Sequence, residues 1–230
     1  MKRLFSNVIN LTLVFIVGVA LSGCTVSNAS IGASSPWSLV DLDTEANPLD
    51  VDFVDEKKGF LVGTNRLILE TNDGGITWKE RNLDIPNEGN FRLISVDFRG
   101  QEGWIAGQPG LILHTNDGGN NWTRLDLGNK LPGDPYLITT IDVDSAELAT
   151  TAGAIYKTTD AGTNWEAIVV DTSGSGGIRE LRRTNNGGYI SVSSLGNFFS
   201  VLNPGENIWR PHQRASSKRV QSVGEQPNGD

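Results

Sequence analysis

The sequence has a single cysteine, Cys24, in 230 residues, so no disulfide can form within the chain. Histidine is nearly as scarce: His114 and His212 stand far apart, and with no cysteine beside them they argue against a zinc site. Basic residues are outnumbered, 19 against 27 acidic, and the net charge of −8 excludes a general nucleic-acid-binding surface. Long apolar runs are missing after the first two dozen residues, and no later stretch has helical periodicity. Glycine is plentiful instead, with 27 copies, which points to many short strands joined by tight turns.

The N-terminus reads as an address. Lys2 and Arg3 precede Leu11–Leu21, an apolar stretch too short to span a bilayer comfortably. It runs into Leu21-Ser22-Gly23-Cys24, which resembles the lipobox of bacterial lipoproteins, where a peptidase cuts before the cysteine and the thiol carries a diacylglycerol. Residues 1–23 are then a signal peptide, and residues 24–35, small and polar, a tether. Removal of Lys2 and Arg3 takes the formal charge from −8 to −10.

Residues 36–230 carry a repeat. TNDGGITW ends at Trp78, TNDGGNNW at Trp122 and TTDAGTNW at Trp165, with a decayed LNPGENIW ending at Trp209. With Trp37, the tryptophans are spaced 41, 44, 43 and 44 residues apart, a period that signals a propeller or solenoid. One period holds four strand-like segments: 93–98, 103–107, 111–114 and 122–127. The fold expected is all-β, a β-propeller. Asp73, Asp117 and Asp160 are expected to cap turn amides, and Trp78, Trp122 and Trp165 to pack on the neighbouring blade. All six are structural in this reading. Trp37–Val40 matches a fourth strand without its partners, and 219–223 a first strand. The sequence is therefore expected to be an incomplete ring of four to five blades, six or seven when complete, with seven preferred.

The octapeptide resembles the Asp-box, or BNR repeat. From Trp37 to about Gly224 the chain resembles the photosystem II stability and assembly factor family, above all in Ser193–Phe199 and in Pro211–Ser222 (PHQRASSKRVQS). The resemblance implies a protein without catalytic activity and without a cofactor, on the lumenal side of the thylakoid membrane. Its partners would be newly made photosystem II reaction-centre subunits and assembly intermediates.

Departures from the repeat point to a binding surface. Aligning Gly103 with Gly188 places Ile94, Val96 and Phe98 over Arg179, Leu181 and Arg183. Residues 171–219 hold seven basic and three acidic side chains inside an acidic protein. Arg179, Arg182, Arg183, Arg210, Arg214, Lys218 and Arg219, with His212 beside them, are the candidate partner-binding residues, suited to bidentate contact with carboxylates. The bland alternative is a solvated basic face with internal ion pairs. His114 and Tyr136, Tyr156 and Tyr189 read as packing residues. Two other functions stay open: a generic extracytoplasmic binding propeller, and a sialidase-type glycoside hydrolase. The latter needs an arginine triad and a Tyr–Glu pair, and no such pair is evident from the spacing.

Acylation of Cys24 has a direct test. The Cys24→Ser variant should move from the membrane to the soluble fraction on cell fractionation; unchanged membrane partition after dissociation of partner complexes would contradict it.

Overall fold

The computed structural model describes residues 38–83, 90–127, 131–169, 177–196, 198–213 and 219–224. Cys24, the tether, Arg214 and Lys218 lie outside them. Among the described residues, apart from one 3₁₀ turn at Thr64–Arg66, the regular structure is β, in four antiparallel four-stranded sheets. The first is β1 (Pro48–Phe53), β2 (Gly59–Gly63), β3 (Ile68–Thr71) and β4 (Lys79–Glu80). The second is β5 (Arg92–Arg99), β6 (Glu102–Gln108), β7 (Leu111–Thr115) and β8 (Thr123–Asp126). The third is β9 (Pro135–Asp142), β10 (Ser145–Thr150), β11 (Ile155–Thr158) and β12 (Glu166–Val169). The fourth is β13 (Ile178–Arg183), β14 (Tyr189–Ser193), β15 (Phe198–Leu202) and β16 (Arg210–Gln213). Each sheet runs in chain order, as in the blades of a β-propeller.

The core lies between blades, because each four-stranded sheet has two faces and each must be covered. Phe60, Val62 and Ile68 of blade one meet Leu93, Val96, Ile105 and Leu111 of blade two. Trp104, Ala106 and Ile112 of blade two meet Ile138, Ala146 and Leu148 of blade three. Ala149, Ile155 and Val169 then meet Leu181, Tyr189, Leu202 and Trp209 of blade four. The second strands β2 and β6 are buried almost throughout, and their sequences are correspondingly apolar on both faces.

Three turns share one hydrogen-bond circuit. The hydroxyls of Thr71, Thr115 and Thr158 donate to Asp73, Asp117 and Asp160 at 2.8, 2.8 and 2.9 Å. Each carboxylate then accepts the amide four residues on, from Thr77, Asn121 and Asn164, at 2.9 Å. These bonds favour the ionised form: the carboxyls of Asp73 and Asp117 are held down at about 2. The turn also needs glycine for space. A Cβ on Gly119, at φ 78°, would stand 2.3 Å from the Phe60 ring of the preceding blade. Ala161 occupies the left-handed region at φ 55° without being glycine, a mild strain. The fourth copy lacks the circuit; Asn203 and Glu206 bond to each other instead.

The repeat tryptophans are not equally buried. Trp122 packs edge-on against Phe60 and Phe98, and Trp165 against Trp104, but both are only half-buried, as is Trp78. Trp209, from the decayed copy, is the most enclosed of the repeat tryptophans at 6% exposure, and its indole N–H donates to the Gly153 carbonyl of blade three at 2.8 Å. Losing the turn circuit has not loosened the blade, because a hydrophobic Leu202 and the buried indole hold it.

The expected strands at the two ends are not formed among the described residues: neither 38–40 nor 219–223 carries strand pairing. Residues 220–222 nevertheless lie against blade four. Val220 N donates to the Gly196 carbonyl at 2.8 Å, and Ser222 Oγ to Glu180 at 3.0 Å. Gln221 accepts from Arg179 at 2.7 Å. This is where a first strand one repeat beyond β13 would run.

The Trp209→Ala variant should lose about 3–5 kcal/mol in denaturant titration, more than Trp78→Ala or Trp122→Ala. An equal or smaller loss at position 209 would contradict the packing described.

Candidate functional site

The first strands β1, β5, β9 and β13 line a common cleft, and each is the edge of its own sheet. An edge strand presents amides with no partner in its sheet. Side chains of the preceding blade supply the acceptors. Asp50 accepts from Val96 N at 2.9 Å, Asp52 from Phe98 N at 2.6 Å, and Asp97 from Thr140 N at 2.6 Å. Ser95 Oγ accepts from Ile138 N at 3.3 Å. At the step to blade four the carboxylates stop; Tyr136 donates its hydroxyl to the Arg179 carbonyl at 3.1 Å. Tyr136 is thus an inter-blade clasp and not only a packing residue.

These strands border a cleft of about 600 Å³ lined by Asp50, Asp52 and Asp97 and by Arg182 and Arg183. It continues into a second hollow of about 730 Å³ that adds Arg92, Tyr136 and Glu180. Burial raises the Asp97 carboxyl to about 6, and the charges of Asp52 and Asp50 add to the effect. Burial raises Asp50 as well, against the amide bonds that favour its charge.

Register shows what is different about blade four. Phe53, Phe98, Thr140 and Arg183 occupy one position, facing Gly59, Gly103, Ala146 and Tyr189 on their second strands. Gly103 therefore matches Tyr189 and not Gly188, although the first-strand match of Phe98 with Arg183 stands. One residue back, Asp52, Asp97 and Thr139 give way to Arg182. Ile94 and Arg179 both fall at bulges.

The candidate arginines divide into distinct environments. Arg183 is tied inward: its Nε donates to Glu147 Oε2 at 2.9 Å, and the Tyr189 hydroxyl donates to the same oxygen at 2.8 Å. Arg182 bonds Glu180 at 2.7 Å but keeps 61% of its side chain exposed. Arg179 and Arg219 are exposed, and the bonds from Arg179 to Gln221 and from Ser222 to Glu180 bring their backbone segments together. Arg210 pairs with Glu206 and His212 stacks on Phe199, both on β16. Two strands separate β16 from β13, a distance of about 14 Å at about 4.8 Å per strand. The described part of the expected patch is therefore a cluster of Arg179, Arg182 and Arg219, with Arg210 and His212 set apart and Arg183 internal.

Two further groupings were not expected. Tyr189 and Glu147 form a Tyr–Glu pair across blades three and four, beside an arginine. A sialidase-type nucleophile would need an accessible, acidified phenol; Tyr189 is 3% exposed, and burial, then the Glu147 charge, pushes its phenol well above the ordinary range. His114 is not an apolar packing residue either. Its Nε2 lies 2.6 Å from Glu102, its ring stacks on Trp104, and Asp144 of the next blade comes within 4.8 Å. The sequence carried one sign of the cleft, the Val-Asp-Phe string at 51–53 that recurs at 96–98.

The family described as photosynthesis system II assembly factor YCF48 matches residues 29–230. The photosystem II assembly lipoprotein Ycf48 of Prochlorococcus marinus (strain NATL2A) is 94% identical over 230 residues, all of this chain and 68% of its own length. A solved structure described as YCF48 bound to D1 peptide superposes with a TM-score of 0.81 at 44% identity, over 85% of this chain and 64% of that one. YCF48 from Cyanidioschyzon merolae gives 0.75 at 41% identity, over 80% and 61%. The chain thus spans about two thirds of the length of these relatives.

The two neighbouring arginines should respond oppositely to truncation. Arg183→Ala leaves Glu147 without its cation in a buried setting and should cost about 2–4 kcal/mol. Arg182→Ala should stay within about 0.5 kcal/mol. Denaturant titration of both variants checks this, and equal losses would overturn the distinction.

Proposed function

Because the chain belongs to the photosynthesis system II assembly factor YCF48 family, we propose that it works without catalysis, as a scaffold that holds newly made photosystem II reaction-centre subunits during assembly and repair. In this reading the protein is tethered through Cys24 to the thylakoid membrane and faces the lumen. The observation that carries it is the likeness, at 44% identity, to a structure described as YCF48 bound to D1 peptide. The exposed arginines at the first strand of blade four give that likeness a chemical form. Arg182 lines the cleft, and Arg179 and Arg219 are exposed on backbone segments joined by the Arg179–Gln221 bond. Guanidinium groups take carboxylates in paired hydrogen bonds. A polar or acidic segment of a reaction-centre subunit is the ligand this surface fits.

Exposed charge pairs are individually weak and screened by salt, so the effect should be collective. Single reversals at these positions should change capture little. Arg179→Glu, Arg182→Glu and Arg219→Glu together should abolish it, with circular dichroism unchanged. A pull-down of the reaction-centre subunit at low and high ionic strength is the measurement. Retained capture by a folded triple variant, or wild-type capture indifferent to salt, would overturn the role of these arginines.

A further inference from the structure

One cleft is lined by acids and arginines together: Asp50 and Asp52 on β1, Asp97 on β5, and Arg182 and Arg183 on β13. Arg183 is already neutralised by Glu147, and Arg182 shares Glu180. With every carboxylate ionised, the cleft carries more negative than positive charge. An acidic segment approaching Arg182 meets that field, because the carboxylates line the same cleft.

We propose that proton uptake by this carboxylate row, with Asp97 as its leading member, controls how strongly the arginine face binds an acidic peptide segment. The inference rests on the binding role proposed above and adds its regulation.

Asp97 is placed for this. From β1 it faces two carboxylates, Asp50 and Asp52. From β9 it meets the uncharged Thr140, which donates its amide to Asp97 Oδ2 and its hydroxyl to the Asp97 carbonyl. On β6 its cross-strand partner is the uncharged Trp104. Arg182 and Arg183, which line the same cleft, stand on β13. Burial is the largest influence on the Asp97 carboxyl and raises it to about 6. Its folded value therefore lies above the unfolded one, so the folded state binds the extra proton between about pH 4 and pH 6, and stability falls as pH rises through that window. The same proton removes one negative charge from the cleft that Asp97 and Arg182 both line. A Glu-rich ligand keeps its own charge down to about pH 5, which leaves a window in which the protein alone titrates.

The test uses the full chain and a fluorescently labelled Glu-rich peptide at low salt, with affinity measured at about pH 7.5 and about pH 5.5. Wild type should bind about fivefold tighter at the lower pH. Asp97→Asn, which keeps an oxygen for the Thr140 amide, should bind tightly at both pH values; Asp50→Asn serves if that variant does not fold, and should lessen the pH dependence. Carbon-detected NMR of the Asp97 carboxyl should titrate with a midpoint near 6. Tight binding that ignores pH would overturn the linkage and leave the arginine face standing. A carboxyl midpoint near 4 would overturn the linkage by itself. Absence of binding at both pH values, in folded protein, would overturn the arginine face and the linkage together.

Discussion

Every blade begins with a strand that is the edge of its sheet, and the amides along that edge must find acceptors. The arrangement of the axis follows from this requirement. Blades one and two answer it with Asp50, Asp52, Ser95 and Asp97, each reaching to the next blade's backbone. The answer has an electrostatic consequence, because it gathers carboxylates around one cleft and buries them enough to raise Asp97 and Asp50. Between blades three and four the bond runs the other way, with the Tyr136 hydroxyl donating to the Arg179 carbonyl, and blade four carries Arg182 and Arg183 at the matching positions. The cleft is lined by acids and arginines together.

The inter-blade bonds follow the repeat. Asp97 meets Thr140, and Tyr136 meets Arg179, 43 residues on. Tyr189 meets Glu147, and Arg179 meets Gln221, at a separation of 42. A residue and its successor one period later are neighbours in space. The same geometry explains why residues 220–222 lie along β13 without strand pairing of their own, since their contacts are made between blades.

The fold was legible because its signals are local. A Trp at fixed spacing and a Thr-x-Asp turn each depend on a handful of adjacent residues, and the structure repeats the Asp73 circuit at Asp117 and Asp160. The site was less legible because its chemistry is between blades. Nothing adjacent to Arg183 in sequence shows that Glu147 neutralises it, or that Tyr189 and Glu147 share a bond. The seven basic residues looked like one patch because they are close in sequence. The sheet then separates Arg210 and His212 on the outermost strand from Arg179 and Arg182 on the innermost. Trp209 was undervalued for a related reason: decay of its turn was visible, whereas its burial against Gly153 of blade three was not.

Hydrogen exchange of the full chain, with and without a reaction-centre subunit or its soluble peptide, reports most directly on where the partner sits. The account predicts added protection at Ile178–Arg183 and at residues 219–224, with the Asp73, Asp117 and Asp160 turns unchanged. Protection confined to β16, or to the outer turns of the blades, would contradict a binding face built on the first strand of blade four.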